Sequence, residues 1–259
     1  MKKLTSLIVL SLMLFIGGKM MGQNPTRGAL FLGVSFPMGD YAEFDDFNDF
    51  ALTSAVGNDG AAGIGFNVGA KWYFNVGVKG LGVMLSFDGF YNGPNSNLKE
   101  KYRNNESEYT GHYISGSFLY RSKPRFINVP AMLGINYIYD FNPYFGIYAE
   151  AGAGVNASFI TGKETRAELE VLGLEKIEVR SQQYDVAFSF AWQVGVGIEV
   201  AKNFRIGCSF YDFGKANVKG EETVRTTNIL DNSVKIETHY KTFGELKPIM
   251  VLGRIGFSF

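Results

Sequence analysis

The stretch Tyr184–Phe210 contains the pattern that recurs through most of the chain. Between Val186 and Val200 every second residue is apolar, and the intervening residues are mostly polar or small. Strict alternation predicts a β-strand with one apolar face and one polar face. Because the polar row is rich in Gly and Ala, it would make a poor water-facing surface. We interpret it as the lining of a narrow interior, with the apolar row on the outside.

The same alternation predicts about eight strands. They lie near residues 29–36, 63–74, 81–88, 127–140, 145–158, 185–200, 204–211 and 249–259. Most approach or exceed the ~9–11 residues that a tilted strand needs to cross a bilayer. The expected fold is therefore all-β: an eight-stranded antiparallel up-and-down transmembrane β-barrel.

The connections between the predicted strands alternate in length. Four are long and polar, at about residues 37–60, 93–123, 161–183 and 214–245, and the turns between them are short. In an up-and-down meander this order places all the long loops at one end. Short turns at one end and long loops at the other are typical of outer-membrane barrels.

A ten-stranded barrel is the alternative, because Thr110–Tyr120 also alternates. We favour eight strands, since a further crossing there would move the later long loops to the wrong side. This segment is therefore interpreted as an extension of the second long loop. The last long loop is predicted to form a hairpin above the membrane with its turn near Leu230–Asn232, and the third loop to do the same.

Composition restricts the chemistry of the chain. Its 259 residues contain 25 Lys and Arg and 25 Asp and Glu, so no charge excess argues for nucleic acid. The only cysteine, Cys208, excludes an internal disulfide and a four-cysteine zinc site. The segment "GAGVNA" (Gly152–Ala157) fits a dinucleotide fingerprint, but alternation continues through it where that fingerprint needs a helix. We predict no cofactor and no metal.

The N-terminus predicts export. Lys2 and Lys3 precede an apolar core over residues 4–16, and small residues follow. This is the pattern of a secretory signal peptide, which we expect to be cleaved between Gly22 and Gln23. The predicted domains are a signal peptide over 1–22 and a barrel over 23–259.

The chain resembles small bacterial outer-membrane β-barrel proteins, the porin-like barrel family of eight-stranded members. The resemblance rests on the signal peptide, the strand meander, the "INVPAMLGINYIYDFNPYFGIYAEAGAGV" hairpin and the terminal "RIGFSF". It implies a place in the bacterial outer membrane, contact with its lipid, and insertion by the barrel assembly machinery. In that family a terminal aromatic after alternating apolar residues resembles the assembly signal, and Ile255, Phe257 and Phe259 hold those places here.

The polar rows place charged residues in the predicted interior. They are Lys71, Asp88, Glu150, Asp185, Glu199, Arg205 and Arg254. Unpaired charges in a narrow lumen are costly, so we expect ion pairs. Counting symmetrically about Lys202 puts Glu199 opposite Arg205. Because an eight-stranded barrel is just wide enough to be filled by side chains, we predict a plugged lumen.

These features predict an integral outer-membrane protein with a structural or surface-interaction role, in which the long loops are free to bind an extracellular ligand. A narrow channel for small solutes or ions is the first alternative. A lipid-modifying enzyme of the outer leaflet is the second, since His112 lies near Ser115 and Ser117. No nucleophile motif accompanies these residues, so we predict no catalytic residues and no enzyme.

The first long loop is acidic, and it raises the question of a cation site. Its carboxylates are Asp40, Glu43, Asp45, Asp46 and Asp49. Their spacing does not match the calcium-binding loop of an EF-hand, and aromatic residues are interleaved with them. We interpret the segment as a solvated loop that packs its aromatics on the barrel mouth.

Overall fold

The computed structural model describes residues 26–43, 62–96, 107–111, 114–120, 124–171 and 174–259. The predicted signal peptide, the Gly22–Gln23 cleavage site and His112 lie outside these residues. So do Asp45, Asp46 and Asp49 of the acidic loop, which leaves its interpretation a prediction. In the described part of the chain, no helix is long and apolar enough to cross a membrane.

The described residues form strands and one short 3₁₀-helix at Gly39–Tyr41. The strands are β1 (Arg27–Met38), β2 (Ala62–Asn75), β3 (Leu81–Pro94), β4 (Ser107–Gly111), β5 (Ile114–Tyr120), β6 (Phe126–Asn142), β7 (Phe145–Ile160), β8 (Lys163–Val171), β9 (Leu174–Tyr184), β10 (Ala187–Val200), β11 (Phe204–Asp212), β12 (Ala216–Asn228), β13 (Val234–Leu246) and β14 (Ile249–Ser258).

Eight of these strands close into an antiparallel barrel. Its order is β1-β2-β3-β6-β7-β10-β11-β14, and β14 pairs with β1 to complete the ring. Each barrel strand therefore lies next to the preceding barrel strand in the chain, which is the predicted up-and-down meander. The eight-stranded prediction is confirmed, and the ten-stranded alternative is wrong.

The three short turns, the start of β1 and the end of β14 all lie at the same end of the barrel. The turns after β2, β6 and β10 cover residues 76–80, 143–144 and 201–203. Gly28 and Phe259 exchange backbone hydrogen bonds of 3.0 and 2.9 Å, and the Ser258 amide donates to the carbonyl of Asn203. An even number of strands brings the first and last of them to the same end, next to a short turn.

The outer rows of the barrel are apolar and exposed. Phe188 is 72% exposed, Ile64 67%, Leu133 62% and Val155 61%. The inward rows of the same strands hold buried polar side chains. This inside-out arrangement would be unfavourable in water, and it suits a barrel whose outer solvent is hydrocarbon.

The remaining six strands pair into a second sheet beyond the long-loop end of the barrel, which we call the outer sheet. Its order is β13-β12-β9-β8-β5-β4. The hairpins predicted in the third and last long loops are thus confirmed, and the last one turns at 229–233. The second long loop was predicted only as an extension, and it forms a hairpin of β4 and β5. Their union into one sheet was not predicted. Ser158 pairs with Ala187 in the barrel and Lys163 with Gln182 above it, so the pairing continues without a change of register.

The base of the outer sheet packs on the barrel mouth. Val218, Phe243 and Leu246 share one buried cluster with Phe90 and Met250 of the barrel wall. The outer sheet is therefore anchored by apolar contacts as well as by the continuous strands.

Asp185 was predicted to point into the lumen, and this is wrong. The residue lies in the connection between β9 and β10, is exposed, and accepts a 2.7 Å hydrogen bond from the hydroxyl of Tyr240. The alternating row does begin before Ala187 in the sequence, but the barrel wall does not. Alternation gives the face of a residue within a strand and cannot give the point at which the wall starts.

The outward rows predict a depth-dependent cost for a buried charge. Leu133→Arg, near the middle of β6, should lower the free energy of unfolding by about 2–4 kcal/mol, because the charge enters hydrocarbon. Phe188→Arg, next to the long-loop end of β10, should cost about 0–1 kcal/mol. Urea unfolding of the protein from liposomes measures both values. A cost for Leu133→Arg as small as that for Phe188→Arg would contradict the inside-out assignment.

Candidate functional site in the barrel lumen

A buried ion cluster crosses the centre of the lumen. The ammonium of Lys71 lies 2.6 Å from Oε1 of Glu150, and Arg254 donates to the same oxygen through Nη2. All three side chains are 0% exposed. They come from β2, β7 and β14, so the cluster ties together strands from different sides of the ring. Lys71 also donates to Oε1 of Gln193 at 3.3 Å.

Asp88 joins this cluster through Tyr211. The Tyr211 hydroxyl donates to Oδ2 of Asp88 at 3.2 Å and accepts a 3.3 Å hydrogen bond from Nη1 of Arg254. Asn67 donates to the other carboxylate oxygen of Asp88 at 3.5 Å. The second lumen acid is thereby connected to the cations without touching them.

A second ion pair lies at the short-turn rim. Glu199 and Arg205 are directly opposite each other in the β10–β11 register, and Nε of Arg205 donates to Oε2 of Glu199 at 2.8 Å. Arg27 donates to the same carboxylate at 3.0 Å. The pairing agrees with the geometry expected from the turn. Arg27 was not anticipated, because it precedes the alternating row of β1.

An aromatic layer connects the rim pair to the central cluster. The guanidinium of Arg205 lies 4.3 Å from the ring centre of Tyr73 and 5.2 Å from that of Tyr148. Tyr73 donates to Oε2 of Glu150 at 3.4 Å. Stacking on aromatic faces stabilises a desolvated cation. A Cβ at Gly207 would lie 2.2 Å from the Tyr148 hydroxyl, so a small residue is needed there.

The structure places all six charges of the predicted lumen network in the barrel interior, in two hydrogen-bonded groups that are connected by the stacking of Arg205 on Tyr73. The six charges are Lys71, Asp88, Glu150, Glu199, Arg205 and Arg254. Three are acids and three are bases, so the set is balanced. The partners Tyr73, Gln193 and Tyr211 were missed, although their inward positions in the alternating rows were the signal that could have identified them.

A second layer, mostly apolar, closes the lumen toward the outer sheet. The ring of Phe90 packs edge-on against Tyr211 at 4.9 Å and against Phe213 at 5.3 Å. Met250 and Leu252 are fully buried beside them in the same cluster. Tyr41, from the 3₁₀-helix after β1, also belongs to this layer and accepts a 3.2 Å hydrogen bond from Asn128.

A polar cluster lies on the outer sheet. Glu222 accepts hydrogen bonds from Lys241 at 2.6 Å and from Gln182 at 2.8 Å. Tyr184 donates to Gln182 at 2.9 Å, which orients its amide. Burial by itself would raise the pKa of Glu222, but the hydrogen bonds from Lys241 and Gln182 outweigh it and hold the pKa below its ordinary value.

Two residues of the predicted assembly signal, Ile255 and Phe257, lie on the outer face of β14, and the third, Phe259, follows that strand directly. Ile255 is 61% exposed, Phe257 47% and Phe259 67%. Phe257 packs edge-on against Phe204 of β11 at 5.5 Å between ring centres. An apolar, outward-facing row is accessible to another protein before insertion. Its recognition by the assembly machinery stays a prediction.

The described residues do not form the metal site, the His–Ser pair or the dinucleotide-binding segment that were considered from the sequence. They contain no group of three or more His, Cys, Asp or Glu side chains that could hold a metal ion. Ser115 and Ser117 lie on β5 of the outer sheet, whereas their proposed partner His112 is outside the described part of the chain. The segment Gly152–Ala157 lies within β7, with no helix after it.

Among solved structures, the chain is similar to several small outer-membrane proteins. The attachment invasion locus protein Ail of Yersinia pestis, in complex with the heparin analogue sucrose octasulfate, has 17% identity, covers 90% of this chain and 99% of its own, and gives a TM-score of 0.35. OprG of Pseudomonas aeruginosa has 12% identity, coverages of 90% and 94%, and a TM-score of 0.36. Neisserial surface protein A has 11% identity, coverages of 90% and 97%, and a TM-score of 0.33.

No protein-family model matches this chain, and neither does any curated protein. The likeness to the solved structures is weak in sequence identity and in TM-score. The class of this protein is therefore assigned from its own geometry. The closed ring of eight antiparallel strands, the exposed apolar belt and the buried polar lumen define a small transmembrane β-barrel of the outer-membrane type.

Removal of Glu150 tests the central cluster. Glu150→Gln should lower the free energy of unfolding by about 3–5 kcal/mol, because Lys71 and Arg254 lose their buried counter-charge. Glu245→Gln is the matched control: it breaks the exposed pair with Lys215 and should cost less than about 1 kcal/mol. Denaturant titration compares the two, and a similar small cost for both would contradict a tightly coupled lumen cluster.

The depressed pKa of Glu222 predicts an acid response of the outer sheet. A carboxyl whose pKa is lower in the folded state stabilises the fold above its unfolded pKa, and that contribution is lost as the pH falls through the folded value. Protease resistance of the outer sheet should therefore decrease below about pH 4.5. Glu222→Gln should weaken this decrease, and an unchanged pH profile would contradict the assignment.

Proposed function

We propose that this protein is an integral protein of the bacterial outer membrane whose lumen is closed and whose outer sheet is its interaction surface. It carries no catalytic site and no cofactor. Its roles are to provide a stable element in the membrane and to present the outer sheet to partners outside the cell.

The observation that carries the closed lumen is the complete burial of Lys71, Glu150 and Arg254. A conducting pore would leave such groups in contact with water, and an eight-stranded ring is narrow enough for side chains to fill. The layer around Phe90 lies in series with the ion cluster. A solute would have to displace both layers, which opposes the alternative of a narrow channel.

The support for a surface role is the size of the outer sheet. Six strands lie beyond the barrel, and none of them is needed to close the ring. Loops and sheets presented by a rigid scaffold commonly carry the binding function of a protein. A ligand bound there is extracellular, and outer-membrane lipid contacts the apolar belt.

Export and insertion complete the proposal. Residues 1–22 act as a signal peptide that is removed before Gln23, and the remaining chain is the barrel domain. The assembly machinery reads the terminal row of Ile255, Phe257 and Phe259 before the barrel closes. The apolar, exposed character of that row supports this role.

Planar-bilayer recording tests the closed lumen. The purified protein should give no discrete openings. Arg254→Ala or Phe90→Ala alone should also stay silent, because each substitution removes part of one layer and leaves the other in place. Discrete openings of the unmodified protein, altered by Arg254→Ala, would contradict the proposal and support a channel.

A further inference from the structure

Strand β13 is an edge of the outer sheet. Within the described residues it pairs with β12 and with no second strand, so the backbone groups on its other side point away from the sheet. All residues from Val234 to Tyr240 are exposed, on both faces of the strand. Ile236 is 62% exposed and Tyr240 63%. A long exposed edge strand is a template for pairing with another chain.

Two copies of one strand can pair antiparallel about a twofold axis. Directly opposite residues of a sheet lie on the same face, and faces alternate along each strand. The axis must therefore coincide with a residue position and cannot fall between two residues. Each candidate register is then defined by its central residue, and its charge pairs can be taken from the sequence.

The register centred on Ile236 is self-complementary. It places Lys235 of each copy opposite Glu237 of the other, so two cross-strand ion pairs form about the axis. The two Ile236 side chains then lie side by side, on the face of the sheet opposite to the one that carries the ion pairs. Opposite charges and apolar pairs at these positions both stabilise a sheet.

The neighbouring registers are unfavourable. An axis at Lys235 or at Glu237 sets that residue against its own copy, and an axis at Thr238 sets Lys235 against Lys241. An axis at His239 would need the strand beyond Tyr240. There Phe243 is buried and Lys241 is bonded to Glu222 at 2.6 Å. Lys235 and Glu237 are the only Lys, Arg, Asp or Glu residues between Val234 and Tyr240, so within the exposed part of the edge only the register centred on Ile236 pairs opposite charges.

We propose that β13 pairs antiparallel with β13 of a second copy of this chain, centred on Ile236, and joins the two outer sheets into one. Because the outer sheet continues the barrel strands, this pairing inverts the second barrel, so in cells the second copy belongs to a facing outer membrane. The partner of the proposed surface role is then the protein itself. The inference rests on that role, but it is independent of the closed lumen, which is tested by conductance.

The ion pair that Lys235 and Glu237 form within one copy does not prevent pairing with a second copy. Lys235 and Glu237 form a 2.6 Å pair within one copy, with side chains 73% and 45% exposed. An exposed pair of this kind contributes little stability, so sharing its charges with a second copy costs little. In the joined sheet each ammonium lies near a carboxylate of its own copy and one of the other.

Charge reversal tests the proposal in detergent with the full mature chain. Lys235→Glu and Glu237→Lys each place like charges opposite each other, and each should weaken self-association about tenfold. A mixture of the two variants restores both ion pairs between unlike molecules, and the double variant restores them between like ones. Sedimentation of each sample measures association, and the exposed positions leave the fold unaffected.

Disulfide trapping tests the register. In a Cys208→Ser background, Ile236→Cys should form a covalent dimer under mild oxidation, because its symmetry mate is directly opposite. Val234→Cys and Thr238→Cys should form one only when the two variants are mixed. Tyr240→Cys alone is the matched negative control on the same face.

Three results would overturn the proposal. The first is an unmodified protein that is monomeric at concentrations where the mixture of charge variants is also monomeric. The second is charge variants that associate as the unmodified protein does. The third is a Tyr240→Cys dimer as abundant as that of Ile236→Cys. Silent or conducting behaviour in a bilayer has no bearing on any of them.

Discussion

Every backbone N–H and C=O group that enters the hydrocarbon of a membrane needs a partner inside the protein. A sheet can meet this demand only by closing on itself, since an open edge would leave a row of unpaired groups in lipid. In this chain the pairing of β14 with β1 closes the ring. The return of the last strand to the first follows from that closure, and the apolar outer rows follow from the lipid that surrounds the ring.

Closure with eight strands makes a narrow interior, and the lumen contents follow from its width. Charged side chains inside cannot be left unpaired, so each carboxylate is hydrogen-bonded, two of the three directly to cations: Glu150 to Lys71 and Arg254, and Glu199 to Arg205. The large side chains need small neighbours, which accounts for Gly207 beside Tyr148. The polar network and the Gly-rich row of the sequence are two aspects of one packing problem.

The sequence was sufficient for the barrel because its signal is repeated in every strand. Period-two alternation gives the face of each residue, and the alternation of loop lengths gives the end at which each turn lies. The Glu199–Arg205 pairing could be predicted because a three-residue turn sets the register. The hydrogen bond between Asp88 and Tyr211 joins strands on opposite sides of the ring, β3 and β11, and it depends on the shear of the ring, which one sequence does not provide. The prediction for Asp185 was wrong for a related reason: the alternating pattern starts before Ala187, where the barrel wall begins.

The most direct test of the inside-out architecture uses the two tryptophans of the chain, Trp72 and Trp192. Both belong to apolar outward rows, on β2 and β10. In liposomes that contain lipids brominated along the acyl chain, fluorescence from both should be strongly quenched, because bromine contacts a fluorophore only in the hydrocarbon. Replacement of either tryptophan by Phe should leave the other quenched. Fluorescence unaffected by the brominated lipids would mean that the apolar rows face a protein core, and the account of the lumen would fail with it.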